Sequence, residues 1–280
     1  MNSNDIIKLL PELLAPVVKL AYAAGEKIMR IRENADFDIQ HKDDNSPVTE
    51  ADYAAHHTIV DGLALLHPQW PSLSEEDTDI STAQRHSWDT YWLIDPLDGT
   101  RDFVAGNDTF SVNIALIHNH VPVLGVIQLP VTGECFFACE QHGAWKQTSI
   151  KSPQQIHVKQ PANNIPKVTI SGSRKGPALQ EFLSSIGEHE MYFIGSSIKS
   201  CRVAEGAIDF YPCLGPTSEW DTAAAQCIVE QAGGKMTNTK GEALTYNLRD
   251  TLINPWFAVW GDDSIDWLQH IQMGSDHSFC

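Results

Sequence analysis

The chain has 280 residues, 42% of them apolar and 20% charged, which is ordinary for a globular protein with length for one large or two moderate domains. Its 36 acidic and 19 basic side chains give a formal charge of −17, which argues against gripping a polynucleotide by counterion release or an anionic membrane by a basic patch. No stretch approaches the roughly 20 apolar residues of a transmembrane segment, and the first residues lack the basic-then-apolar pattern of a signal peptide.

Apolar residues recur at helical spacing from Leu13 to Ile31 (Val17, Leu20, Ala21, Ala24, Ile28, Ile31). This predicts an amphipathic helix whose firm start is confined by Pro11 and Pro16 to about Pro16. A second helix is predicted from about Thr49 to Leu66, with Thr49 and Asp52 as a capping box and His67-Pro68 as its stop. Tyr91 to Ile94 reads as a short strand ending at Asp95-Pro96. Ser111 to Ile117 and Val121 to Leu129 read as a hairpin across His118-Asn119-His120, whose histidines are expected at the surface. Cys135 to Cys139 extends it into an antiparallel meander. Lys151 to Lys167, rich in Pro and Asn, reads as a linker.

Beyond that segment the pattern alternates. Strands are predicted at Val168 to Ser171, Tyr192 to Ile194, Asp209 to Pro212 and Phe257 to Trp260. Helices are predicted at Ala178 to Ile186, Ser197 to Glu205 and Trp220 to Ala232. The expected class is α/β, as two layered subdomains with a cleft between them: residues 1–160, carrying most acidic motifs, and 161–280. Six cysteines (Cys135, Cys139, Cys201, Cys213, Cys227, Cys280) form no C-x-x-C pair, so reduced thiols in a cytoplasm are expected.

Carboxylates cluster in four segments: Thr49-Glu50-Ala51-Asp52, Ser74-Glu75-Glu76-Asp77, Asp95-Pro96-Leu97-Asp98-Gly99-Thr100 and Trp220-Asp221-Thr222. Taken singly, each has a plain reading as a helix cap, a solvated loop, an Asp-Gly turn or a dipole-compensating residue. Together they suggest more. An apolar strand ending in Asp-Pro-x-Asp-Gly-Thr puts two carboxylates and the Leu97 carbonyl in one tight turn, an all-oxygen set suited to Mg²⁺. Gly99 and Thr100 add backbone N–H groups and a hydroxyl at an expected helix start, where phosphate binds well.

The joint pattern of Asp95-Pro-Leu-Asp-Gly-Thr100, Glu75 upstream and Trp220-Asp221-Thr-Ala-Ala downstream resembles the signature of the inositol monophosphatase superfamily of lithium-sensitive, Mg²⁺-dependent phosphomonoesterases. The resemblance covers about Ala21 to Trp260. Lys42 to Asp52, Leu73 to Asp77, Tyr91 to Thr100, Gly195 to Lys199 and Gly215 to Thr217 look most like its CysQ-type 3′(2′),5′-bisphosphate nucleotidases. These remove the 3′-phosphate of adenosine 3′,5′-bisphosphate, a by-product of sulfate activation. The resemblance implies a five-layer α/β/α/β/α sandwich and a small bisphosphate nucleotide as substrate. It implies two or three Mg²⁺ ions on Glu75, Asp95, the Leu97 carbonyl, Asp98 and Asp221. It makes Asp52 and Thr100 the pair that positions and deprotonates water, with Glu75 also catalytic.

Substrate contacts would come from Glu75, Leu97, Asp98, Gly99, Thr100, Ser171, Arg174, Gly195, Lys199 and Asp221. Arg174 stands where relatives often have His, Arg101-Asp102 where Lys-Glu is more frequent, and Ala225 where Gly is frequent. Some bacterial relatives lie on the cytoplasmic face of the inner membrane, so the resemblance also allows a peripheral association. Rival readings are an inositol or sugar-phosphate phosphatase of the same fold, or a non-catalytic Ca²⁺-binding protein. The absence of an EF-hand loop pattern argues against the last.

Overall fold

The structure, a computed structural model, describes residues 3–34, 39–41, 47–67, 69–77, 79–148, 151–172 and 176–271. Its elements in order are α1 (Ser3–Glu33), β1 (Ile39–His41), β2 (Pro47–Thr49), α2 (Glu50–Leu66), β3 (Ser72–Ser74), α3 (Thr82–Arg85), β4 (Thr90–Asp98) and α4 (Thr100–Val104). There follow β5 (Ser111–His118), β6 (Val121–Leu129), β7 (Glu134–Cys139), β8 (Ala144–Thr148), β9 (Lys151–Ile156), β10 (Lys167–Ile170), α5 (Pro177–Ser185) and β11 (Glu190–Phe193). The last are α6 (Ile198–Ala204), β12 (Phe210–Cys213), a 3-10 turn (Glu219–Asp221), α7 (Ala223–Gln231), β13 (Lys235–Asn238), β14 (Phe257–Trp260) and a second 3-10 turn (Leu268–His270).

Two large sheets organise the described residues, beside a small one in which β1 pairs antiparallel with β2. One has seven strands in the order β3-β4-β5-β6-β7-β8-β9, antiparallel except for the parallel β3–β4 pair. The other runs β11-β10-β12-β14-β13, with β10 parallel to both neighbours and β14 antiparallel to both of its own.

Three apolar layers follow from the two-residue alternation of the strands. In β4, Trp92 and Ile94 join α1 and α2 residues such as Leu10, Val17, Ala21 and Ile59. Tyr91 and Leu93 face the opposite way, into a layer shared with α6, α7 and the Tyr211, Val259 side of the second sheet. Val168, Ile170, Phe210 and Ala258 cover that sheet's other face with Leu179 and Phe182 of α5. The result is the expected α/β/α/β/α sandwich. A strand buried on both faces reads as a continuous apolar run, which is why Tyr91 to Ile94 was legible as one.

Several boundaries differ from expectation. The first helix begins at Ser3 and passes through both prolines. Each interior proline costs about 3 kcal/mol, while burying Ile6, Leu10 and Leu13 contributes roughly 1.5–3 kcal/mol apiece, so the apolar stripe prevails. β4 does not stop at Asp95. It continues to Asp98 through a bulge: Asp95 pairs with Asn113 and Asp98 with Ser111, one residue more on β4 than on β5. Pro96 fits within it because a bulge spares the N–H that proline lacks.

The start of the expected linker is a strand. β9 pairs with β8 at the sheet edge, where Pro153 is tolerated, so only 157–166 connects the two sheets. The expected helix from Trp220 is a 3-10 turn, then α7, because the Asp221 carboxylate bonds back to the Ser218 N–H at 2.8 Å. The hairpin histidines are not both at the surface. His118 is buried and bonded to Thr90 Oγ1 at 2.9 Å; His120 Nδ1 lies 2.9 Å from the Tyr246 carbonyl. The short polar strands β3, β8 and β13 carry too little periodicity to be read from sequence. No helix among the described residues is long and apolar enough to cross a membrane.

Candidate active site

β4 supplies Asp95 and Asp98, and the turn before α7 supplies Asp221. One carboxylate oxygen of each lies within 4.8 Å of the others. The bulge makes this possible by bringing Asp98 toward the same side of β4 as Asp95. Burial pushes the Asp95 carboxyl well above the usual range, and the charges of Glu75, Asp98 and Asp221 push it further. Burial likewise raises Asp221, with Asp98 and Glu75 adding to it. Glu75 follows β3 and is held beside β4 by its N–H, which donates to the Ile94 carbonyl at 3.0 Å. A dense, all-oxygen, mutually repelling donor set fits a hard divalent cation, whose charge would reverse the repulsion.

A second group lies alongside. Asp52 sits in the first turn of α2, where Oδ2 accepts from the Thr49 N–H at 2.8 Å and from Thr49 Oγ1 at 2.7 Å. Its Oδ1 accepts from Thr100 Oγ1 at 3.0 Å, a hydroxyl also 3.1 Å from the Leu97 carbonyl. That carbonyl keeps a second lone pair for another partner. Thr100 opens α4 directly after Gly99, which adopts φ 100° and where a Cβ would come within 2.9 Å of the Thr109 carbonyl. Only glycine satisfies both conditions.

Of the residues expected in the site, Glu75, Asp98, Gly99, Thr100, Ser171, Lys199 and Asp221 line one cavity of about 370 Å³. Asp52 and Asp95 are buried. Gly195 enables a close approach: a Cβ there would lie 2.6 Å from both Asp102 Oδ2 and Thr109 Oγ1. Lys199 is 5% exposed, with Nζ 2.5 Å from the Ser196 carbonyl and 5.2 Å from the centre of the Tyr211 ring. Arg174, like Lys42 to Ser46 of the upstream motif, lies outside the described residues.

Sequence reasoning missed Ser197 and Asn113. Ser197 donates to Asp98 Oδ2 from N–H at 2.6 Å, and its Oγ lies 2.7 Å from the same oxygen. Asn113 Nδ2 donates to Ser197 Oγ at 2.8 Å. Asn113 could have been suspected as a buried amide in an apolar strand. Ser197 read as an ordinary helix-starting serine. Thr217, from the Gly215 to Thr217 stretch, also lines the cavity, as do Tyr211 and Phe257, which carried no sequence signal of that role.

The inositol monophosphatase family model matches residues 10–262. A relative from Escherichia coli strain K12, named 3′(2′),5′-bisphosphate nucleotidase CysQ, is 43% identical over 249 residues, covering 88% of this chain and 99% of the relative. A Haemophilus influenzae protein of the same name is 37% identical over 262 residues, covering 91% and 95%. The crystal structure of CysQ from Bacteroides thetaiotaomicron superposes with a TM-score of 0.75 at 38% identity, covering 88% of this chain and 96% of that one. An IMPase from Thermotoga maritima gives 0.75 at 26% identity, covering 91% and 94%. With sequence and fold in agreement over most of its length, the chain belongs to the inositol monophosphatase family.

Proposed function

We propose that this protein is a Mg²⁺-dependent phosphomonoesterase that hydrolyses the 3′-phosphate of adenosine 3′,5′-bisphosphate to give AMP and phosphate. The relatives named as bisphosphate nucleotidases support the substrate class. The observation that carries the reading is a single cavity lined both by the carboxylates and by Lys199. A monophosphate calls for the first; a second phosphate calls for a cation besides.

In this reading Glu75, Asp95, the Leu97 carbonyl, Asp98 and Asp221 hold Mg²⁺. A cation held there would supply Lewis-acid stabilisation of the phosphoryl oxygens and would make the attacking water more acidic. The chain's own contribution to proton transfer is the Thr100–Asp52 pair. Thr49 fixes Asp52 Oδ2, so Oδ1 remains aimed at Thr100 Oγ1 and can take its proton as that hydroxyl accepts one from the attacking water. Gly99 and Thr100 contact the scissile phosphate, while Ser171, Gly195, Lys199 and Arg174 border the nucleotide. Residues 1–160 and 161–280 act as two subdomains, each contributing carboxylates or nucleotide contacts. The five described cysteines are free and buried, which supports a reducing, cytoplasmic setting.

Phosphate release in Mg²⁺ from adenosine 3′,5′-bisphosphate, compared with inositol 1-phosphate, tests the reading. The bisphosphate should be the better substrate. Faster release from inositol 1-phosphate would assign the chain to that activity instead. Calcium binding with no release from either substrate would favour a non-catalytic protein.

A further inference from the structure

Ser197 stands at the start of α6, where a serine hydroxyl ordinarily accepts a backbone N–H of its own helix. Here it makes no such bond. Its Oγ instead lies 2.7 Å from Asp98 Oδ2 and 2.8 Å from the Asp221 carbonyl, while accepting from Asn113 Nδ2 at 2.8 Å. The preceding residue, Ser196, adopts φ 47°, a left-handed conformation uncommon for a residue with a side chain. Left-handed backbone of this kind persists where its surroundings demand it. In this turn it leaves both donors of Ser197, N–H and Oγ–H, directed at one oxygen of Asp98.

The other donors near Asp98 converge on that oxygen as well: Asn113 Nδ2 at 3.4 Å and Ser111 Oγ at 3.5 Å. Oδ1 of Asp98 takes no hydrogen bond from any other described residue. One oxygen is therefore committed to the protein, and the other is left for a cation.

We propose that Ser197 is a positioning residue that couples two metal-holding carboxylates. It selects which oxygen of Asp98 meets the cation, and through the Asp221 carbonyl it sets the spacing between β4 and the turn that carries Asp221. The hydroxyl has one proton for two acceptors, so removing it loosens both partners at once. This inference rests on the reading of Asp95, Asp98 and Asp221 as metal ligands.

Calorimetric titration of the full chain with Mn²⁺ alone, beside Mg²⁺-dependent kinetics, tests it on wild type, S197A, S197T and D95N. S197A should bind Mn²⁺ about tenfold more weakly, the scale of losing a group that orients a ligand. Its half-saturating Mg²⁺ should rise by the same factor, with turnover at saturating Mg²⁺ within about threefold. Its metal-free circular dichroism and melting temperature should match those of wild type. S197T keeps the hydroxyl and should stay within about threefold of wild-type affinity. Loss of Mn²⁺ binding in D95N together with wild-type binding in S197A would overturn the coupling role and leave the metal site standing. S197T as weak as S197A would also overturn it, because the hydroxyl would then not be the operative group. Wild-type Mn²⁺ binding by D95N would bring down the metal reading itself.

Discussion

On one side of the cavity, Asp52 is fixed by Thr49, three positions away, through a capping box that any isolated helix start can form. On the other, Asp98 is held by Ser197, 99 positions along the chain, and the same serine reaches Asp221. The first arrangement comes from local backbone geometry. The second exists only when the two sheets are stacked in register. The anchoring of Asp52 is thus local in origin, although its contact with Thr100 joins α2 to α4, whereas the bracing of Asp98 and Asp221 depends wholly on tertiary packing. Ion pairs reinforce that packing: Glu134 and Lys146 on neighbouring strands engage Arg202 and Glu205 at the end of α6, at 2.7 Å and 2.6 Å respectively.

The largest expected effect comes from breaking the long-range side at its centre. Asp95→Asn should lower phosphate release at saturating Mg²⁺ by about a thousandfold, the upper scale for removing one preorganised electrostatic group. Near-normal turnover in that variant would remove Asp95 from the metal set. Thr100→Ala strikes the Asp52 side. Turnover should fall about a hundredfold, and KM for the bisphosphate should change far less. A change confined to KM would make Thr100 a binding residue.

The smallest effect concerns stability. Burial alone would raise the Glu134 carboxyl, but hydrogen bonds from Arg202 and Lys146 pull it down to about 2 from an ordinary 4.5. A lowered folded-state pKa means that the contribution is complete above about pH 4.5 and lost as pH falls toward 2. Its size should be on the order of 1–2 kcal/mol after discounting for partial exposure. Melting curves of wild type and Glu134→Gln should therefore differ at neutral pH and converge in acid. A gap that persists in acid would show that the glutamate acts through packing.

The same division decides what the sequence discloses. Asp52 was legible because a capping box is written in adjacent residues, and Asp95 and Asp98 because an apolar run leads into Asp-Pro-x-Asp-Gly. The layers were legible from helical and two-residue periodicities. Ser197 was not, since a serine before a helix looks the same whether its hydroxyl caps that helix or crosses to another sheet. The start of α1 was misread because proline is a local signal and the apolar face that overrides it is a tertiary one. β9 was masked in the same way by Pro153, acceptable at an edge that the sequence does not announce.

The bulge in β4 has a consequence for how this site could arise or be lost. Up to Ile94 the strand follows a strict even–odd code, with Trp92 and Ile94 in the α1/α2 layer and Tyr91 and Leu93 in the other. The extra residue shifts the frame: Leu97 joins Trp92 and Ile94, although its number has the opposite parity. Asp98 can consequently cooperate with Asp95 despite the odd number of steps between them. Without the bulge, a regular strand over the same residues would swing the Asp98 carboxylate into the apolar layer beneath α1 and α2, whereas deleting Pro96 would leave Asp98 two regular steps from Asp95 and on its side. The three-step spacing of the two aspartates thus brings them together only because the bulge absorbs one residue. Inserting a further residue beside Pro96 would put the two carboxylates on opposite faces, and should be tolerated far less than most substitutions along the same strand.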